Sequence, residues 1–225
     1  DLLTLKANPK RDARGVIIES KLEKGRGSVA TVLVKNGTLN VGDIFVSGSE
    51  WGKVKALIND RGENLKKALP SLPVEVLGFD SNPLAGDDFI VVDSENTARK
   101  ISEYRSNIKL KKKNTVNKTN VEEMFDQIST GKVTTLPVII KADVQGSAEA
   151  IENSITKLST EEVKTKIVFK GVGAITESDV ALASSSKGFI IGFNVRAIPQ
   201  ARDIAKRNGV DIKYYSIIYE LIDDI

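Results

Sequence analysis

The stretch ARGVIIESKLEKGRGSVATVLVKNGTLNVGD, residues 13–43, decides how the front of the chain folds. RGVIIESKLE alternates, which places Val16, Ile18 and Leu22 on one expected face and Glu19 and Lys21 on the other. KGRG turns the chain, with Gly25 or Gly27 supplying the positive φ of a tight turn. SVATVLVKN runs back and is rich in β-branched residues. Asn36-Gly37 then carries the strongest short signal for a hairpin. The runs TLNVGDIFVSG, GKVKALIND, PVEVLGFD and DDFIVVD follow with turns between them. Strands at this spacing predict a small β-barrel or sandwich over residues 1–93.

The second half changes period. TTLPVIIKAD, VKTKIVFKGVG, GFIIGFN and VDIKYYS read as strands, and the segments between them read as helices. GSAEAIENSITKLS puts Ala148, Ile151, Ile155 and Leu158 on one face, with Ser147 in a capping position. Thr176 and Asp179 have the spacing of a capping box, and Gly209 ends the last long helix. Strand–helix alternation predicts a parallel sheet covered on both faces over residues 132–225, a three-layer α/β/α domain. Between the halves, residues 94–131 form a basic connector. Ala98, Ile101, Tyr104 and Ile108 recur there at helical spacing. So do Val121, Met124, Phe125 and Ile128, behind a Thr119/Glu122 capping box.

Charge sharpens this division. Residues 1–93 balance thirteen basic against thirteen acidic side chains, and residues 132–225 balance twelve against twelve. The net +3 of the chain therefore lies in 94–131. There Arg105, Lys109, Lys111, Lys112, Lys113 and Lys118 run without an intervening acid, as a solvated linker or as a contact for a polyanion.

With 40% apolar and 28% charged residues the chain can bury real cores. No run approaches the ~18 apolar residues of a membrane span, and DLLTLKANPKRD lacks the layout of a signal peptide. The absence of cysteine fits a reducing compartment. The absence of histidine removes the imidazole base, and that of cysteine removes thiolate chemistry and thiolate metal cages. A binding module is favoured over an enzyme.

Several local patterns imitate sites. GVGAIT (171–176) follows a strand and opens a helix but lacks the third glycine and the later acid of a dinucleotide fingerprint. DVQGS (143–147) could offer backbone N–H groups to an anion, although Asp143 and Glu149 would repel it. DARG (12–15) and NKTN (117–120) resemble GTPase fragments, yet no G-x-x-x-x-G-K-[ST] is present to cradle phosphates. Asp87–Asp88 and Asp223–Asp224 read as solvated surface rather than metal ligands, and Trp51 as a packing residue. No catalytic, metal or cofactor residue is expected. The competing enzyme reading is an α/β domain that binds a nucleotide or flavin beside an accessory barrel.

Longer segments carry a resemblance. KANPKRDARGVIIESKLEKGRGSVATVLVKNGTLNVGD, LPVIIKADVQGSAEAI and VGAITESDVALA followed by IIGFNVR closely resemble the bacterial-type translation initiation factor 2 family; the organellar form is similar. The resemblance runs nearly end to end with the motifs in the family's order. It implies a domain II-like elongation-factor barrel, a connector and an α/β domain, an internal piece of a larger factor. It also implies that a GTPase domain, with GTP and Mg, precedes this piece and that a barrel for initiator formylmethionyl-tRNA follows it. In that picture SIIYELIDDI begins a long linker helix. The chain would be a non-catalytic monomer in the cytoplasm or an organellar matrix, docked on small-subunit ribosomal RNA and away from membranes. It would couple the GTPase to the tRNA-binding end as the factor places initiator tRNA and promotes subunit joining. Arg11, Arg14, Arg26, Lys111, Lys112 and Lys113 are the candidate RNA contacts.

Without a phosphate loop, the 225-residue chain is expected to give no binding heat when titrated with GTP and Mg. Saturable micromolar affinity would contradict this reading.

Overall fold

The computed structural model describes residues 6–23, 25–111, 134–158 and 163–225. The chain divides into two compact units, Asp1–Val116 and Asn117–Ile225.

Among the described residues the first unit has nine strands, β1 (Arg14–Glu23), β2 (Gly27–Asn36), β3 (Leu39–Asn40), β4 (Ile44–Ser47), β5 (Glu50–Ile58), β6 (Asn64–Leu65), β7 (Lys67–Ala68), β8 (Pro73–Phe79) and β9 (Asp88–Val92). The antiparallel sheet runs β4-β9-β1-β2-β8-β5, and β4 also pairs with β5, so six strands close into a barrel. β6 extends β5, while β3 and β7 form a separate two-stranded ribbon. Side chains fill the interior. Phe45 stacks on Phe89 and meets Phe79 edge-on, both at 4.6 Å between centroids. Ile17, Val32, Leu39, Leu57 and Val76 surround them.

Two details depart from the alternation read in the sequence. The interior residues of β1 are Gly15, Ile17 and Ser20, while Ile18 and Leu22 are each 52% exposed. A β-bulge shifts the register between Ile17 and Glu19, so Ile18 has no partner on β2 and the inward parity flips there. The other departure is at Asn36-Gly37, which does not join a hairpin. β3 pairs with β7, not with β2.

A helix, α1, covers residues 95–111 and packs on the barrel wall. Ala98 is buried, Ser102 Oγ donates to the Ser49 carbonyl, and Arg105 Nη1 donates to the Gly48 carbonyl at 2.8 Å. The Arg99 guanidinium lies over the Trp51 ring at 5.4 Å, so Trp51 packs as expected. The packed face is therefore buried Ala98 with half-buried Ile101, Ser102 and Arg105, spaced by a helical turn, while Tyr104 and Ile108 are exposed. Val121–Ile128 and the Thr119/Glu122 box lie outside the described residues.

The second unit alternates β10 (Thr134–Ala142), α2 (Gln145–Leu158), β11 (Val163–Val172), α3 (Glu177–Ser186), β12 (Phe189–Phe193), α4 (Pro199–Asn208), β13 (Ile212–Tyr215) and α5 (Ile218–Asp223). The sheet is parallel in the order β11-β10-β12-β13. Val138, Ile140 and Ala142 pack under α2 and α5 against Ile151, Ile155 and Leu221. Ile139 and Ile190 pack under α3 and α4 against Val180, Ala183, Ala201 and Ala205. Burial on both faces explains the unbroken apolar run of β10. α2 begins at Gln145, so Ser147 lies inside its first turn and does not cap it. Gly209 ends α4 at φ 65°, as its position suggests.

One charged pair sits within this core. Lys141 follows Ile139 on the α3 face of β10, and its Nζ lies 3.2 Å from Asp179 Oδ2. Both side chains are less than a tenth exposed. The same carboxylate oxygen accepts from the Thr176 N–H at 2.8 Å and the Thr176 hydroxyl at 2.9 Å. Asp179 thus satisfies the start of α3 and ties it to the central strand. The ammonium also lies over the Phe169 ring, 5.7 Å from its centroid.

Removing one member of a buried pair leaves the other charge uncompensated. Asp179→Ala is expected to destabilise the second unit by about 3–5 kcal/mol. Adding Lys141→Met should recover much of that loss. Urea unfolding followed by far-ultraviolet circular dichroism reads the effect. Fluorescence of Trp51, the lone tryptophan, serves as the barrel control and should not shift.

Candidate nucleic-acid interface

The segment before β1 owes its shape to Gly37. Gly37 has φ 75°, and a Cβ there would lie 2.3 Å from the Asp12 carbonyl oxygen and 2.5 Å from that of Arg11. Only glycine permits both the conformation and the approach. Three bonds follow from the close contact. The Gly37 N–H donates to the Asn8 carbonyl at 2.9 Å, the Thr38 N–H to the Arg11 carbonyl at 3.1 Å, and Thr38 Oγ1 to the Pro9 carbonyl at 2.8 Å. The Lys10 N–H donates to Asn8 Oδ1, closing a local turn. On the other side, the Val91 N–H donates to the Ala13 carbonyl at 3.0 Å. Residues 8–13 are thereby held between the end of β2 and β9.

This anchoring builds a cleft of about 570 Å³ lined by Asn8, Lys10, Arg11, Asp12, Arg14 and Val91. Three cations and one carboxylate share it, all on exposed residues. Among the described residues, no ion pair engages Lys10, Arg11, Arg14 or Asp12. The site can therefore present its positive charge to an outside anion. Arg11 and Arg14 were legible as candidates, whereas Asn8 and Lys10 were not singled out. The run NPKRDAR does hold the charges, but only the close approach at Gly37 gathers them around one cleft.

The other candidates lie elsewhere. Arg26 is at the turn between β1 and β2, nine residues along β1 from Arg14, or roughly 30 Å at the rise of a strand. Its Nη1 lies 3.0 Å from Glu23 Oε2, and Lys21 Nζ lies 2.8 Å from both Glu23 Oε1 and Glu75 Oε1. The hydrogen bond from Lys21, with Arg26 adding to it, holds the Glu23 carboxyl below its ordinary range. Arg26 is therefore already compensated within its own hairpin. Lys111 stands exposed at the last described residue of α1, and Lys112 and Lys113 lie outside the described residues. Arg105, from the same basic run, is used against the Gly48 carbonyl.

The glycine-turn and acidic mimics within the described residues resolve into internal bonds, and NKTN (117–120) lies outside the described residues. The Gly173 N–H donates to the Ala142 carbonyl, and Ile175 bridges to Ala197. In the 143–147 turn, Asp143 Oδ1 accepts from the Val144 N–H and Oδ2 from Asn194 Nδ2. Asp87 Oδ2 accepts from the Leu84 N–H. Asp224 Oδ2 accepts from Lys213 at 2.8 Å and from the Tyr215 hydroxyl, fastening the end of α5 to β13. Burial, reinforced by that carboxylate, raises the Tyr215 phenol above its usual range. Among the described residues no group of three acids could hold a metal ion.

Comparison with known proteins gives a consistent picture. A family model described as Translation-initiation factor 2 matches residues 110–225, and one described as Elongation factor G domain 2 matches residues 12–92. The chain is 55% identical over 226 residues to translation initiation factor IF-2 of Paramagnetospirillum magneticum, and 56% identical over 227 residues to that of Rhodospirillum rubrum. Each match covers 100% of this chain and 26% of the relative, so the chain spans about a quarter of the length of these curated proteins. The crystal structure of GDP-bound aIF5B from Aeropyrum pernix is similar with a TM-score of 0.52 and 25% identity, over 96% of this chain and 36% of that one.

Because Gly37 shapes the cleft without contributing charge, Gly37→Ala is expected to weaken polyanion binding while Lys10, Arg11 and Arg14 remain. A left-handed alanine against two carbonyls should also cost about 2 kcal/mol of barrel stability. Heparin-column retention and thermal melting check the two effects.

Proposed function

The chain belongs to the translation-initiation factor 2 family, and we propose that it serves such a factor as its docking module on the RNA of the small ribosomal subunit. The observation that carries this reading is the cleft of Lys10, Arg11 and Arg14, three cations against one carboxylate, none of them in an ion pair with a described residue. A phosphate backbone supplies the missing anions, and release of its counterions drives association. In the whole factor, this module relays the state of a GTPase domain to a domain that holds initiator formylmethionyl-tRNA. The factor thereby promotes initiator binding and subunit joining with GTP hydrolysis.

The two units suit that task in different ways. Barrel closure leaves stiff walls from which loops and termini can reach a partner without disturbing the core. The α/β unit has its own two-sided core, and its strand-end turns are occupied by internal hydrogen bonds rather than open to a cofactor. The module itself needs no catalytic group, and the nucleotide and Mg belong to the GTPase domain. No helix among the described residues is long and apolar enough to cross a membrane. A cytoplasmic monomer is the form that fits ribosome docking.

The test replaces Lys10, Arg11 and Arg14 together by glutamate in the full-length factor. Affinity for the small subunit should fall. The slope of log affinity against log salt should flatten by about 2–3, close to one unit for each phosphate that is no longer neutralised. GTP affinity should stay unchanged. Arg26→Glu, at a residue already paired, should do much less. Unaltered subunit binding at low salt in the triple variant would retire the cleft as the docking site.

A further inference from the structure

Three cations would suffice to hold a phosphate, and a carboxylate among them works against it. Asp12 nevertheless lines the same cleft as Lys10, Arg11 and Arg14. It is exposed, and no described side chain pairs with it. Ionised aspartate only accepts hydrogen bonds. The cleft therefore matches a ligand that carries anionic oxygens and, a few ångströms away, a hydroxyl donor. RNA has this pairing at every residue, where the 2′-hydroxyl sits beside the phosphate. DNA lacks it.

The lining also indicates how the RNA lies. Among the described residues no aromatic ring lines the cleft, whose lining is Asn8, Lys10, Arg11, Asp12, Arg14 and Val91. Splayed single-stranded bases would find no ring to stack on. An A-form duplex presents 2′-hydroxyls and phosphates together across its shallow minor groove. Asn8 adds a donor toward that backbone, because its Oδ1 is taken by the Lys10 N–H and its amide NH₂ has no bond among the described residues.

We propose that Asp12 is a specificity residue: it accepts the ribose 2′-hydroxyl of duplex RNA while Lys10, Arg11 and Arg14 hold the adjoining phosphates, so that the cleft distinguishes RNA from DNA. This rests on the reading of the chain as an RNA-docking module. Asp12 acts here by both sign and geometry. It lowers affinity for any bare phosphate ligand and restores it only for one that donates a hydroxyl.

The test measures fluorescence anisotropy of the 225-residue chain with three short duplexes of one sequence. These are RNA, the same RNA with 2′-fluoro sugars, and DNA. The 2′-fluoro duplex keeps the A-form and removes the donor. The wild-type chain should prefer RNA over 2′-fluoro RNA by about fivefold, the ratio of one net hydrogen bond of about 1 kcal/mol. Asp12→Ala should tighten binding to the 2′-fluoro and DNA duplexes, by removing a negative charge, and should erase the preference. The Asp12 side chain carries no internal bond among the described residues, so the variant should fold, and the 2′-fluoro comparison needs no variant. Equal wild-type binding of RNA and 2′-fluoro RNA overturns the proposal and leaves ribosomal docking standing. So does a preference that survives Asp12→Ala. Absence of salt-sensitive binding to all three duplexes overturns the docking reading itself, and this proposal with it.

Discussion

The pairing of β4 with β5 is the interaction on which the first unit depends. Without it the antiparallel sheet would run from β4 to β5 with two open edges. With it the edges join, and the Phe45, Phe79 and Phe89 rings share one sealed interior. Closure needs sharp curvature, and glycine provides it. A Cβ on Gly78, at φ 120°, would lie 1.9 Å from the Lys53 carbonyl oxygen. The turn that closes the ring, Gly48–Ser49, is also the acceptor for Ser102 and Arg105. α1 thus latches onto the closing turn itself.

A closed barrel has little freedom in its walls, so its functional chemistry falls to what is attached at its ends. Residues 8–13 are such an attachment. Their backbone is bonded to the Asn36–Thr38 turn and to β9, and their side chains stay in solvent. A backbone held this way needs no further ordering on binding, which confines the entropy cost of docking to the side chains. At the other end of β1 the charges are spent internally. Lys21, Glu23, Arg26 and Glu75 compensate one another across the hairpin. Glu23 is depressed, so the small support it lends is present above the ordinary carboxylate range and is lost as pH falls through its lowered value. The two clusters therefore differ in availability: two cations and two carboxylates close on one another at one end of β1, while three cations face a single unpaired carboxylate at the other.

In the α/β unit the buried Lys141–Asp179 pair does for α3 what apolar packing does for α2. Each helix must be placed over the sheet in one register. α2 achieves this with Ala148, Ile151 and Ile155. α3 is short and serine-rich, and only Asp179, Val180 and Ala183 are buried on it. A directional charge interaction at its first turn adds the geometric definition that its thin apolar stripe lacks.

The longer elements and their order followed from the sequence alone, because periodicity is local, whereas the two-residue strands β6 and β7 and the split of 38–48 into β3 and β4 did not. Periods of two and of 3.6 separated the barrel strands from the α/β half, and the Thr176/Asp179 spacing marked the start of α3. The length of the motif-bearing segments carried the family. Which face of β1 turns inward was not legible: alternation has no sign, and the bulge at Ile18 reverses it midway. Asn36-Gly37 announced a turn but not its purpose, since β3 pairs with β7, well along the chain, and the space a Cβ would fill belongs to Arg11 and Asp12. Charge was legible as composition, but availability was not. Arg26 and Arg105 became internal partners while Arg11 and Arg14 stayed open, and only the packing of residues distant in the chain decides that. The cleft is a tertiary product for the same reason: its residues adjoin in sequence, but Gly37 and Val91 hold them in place.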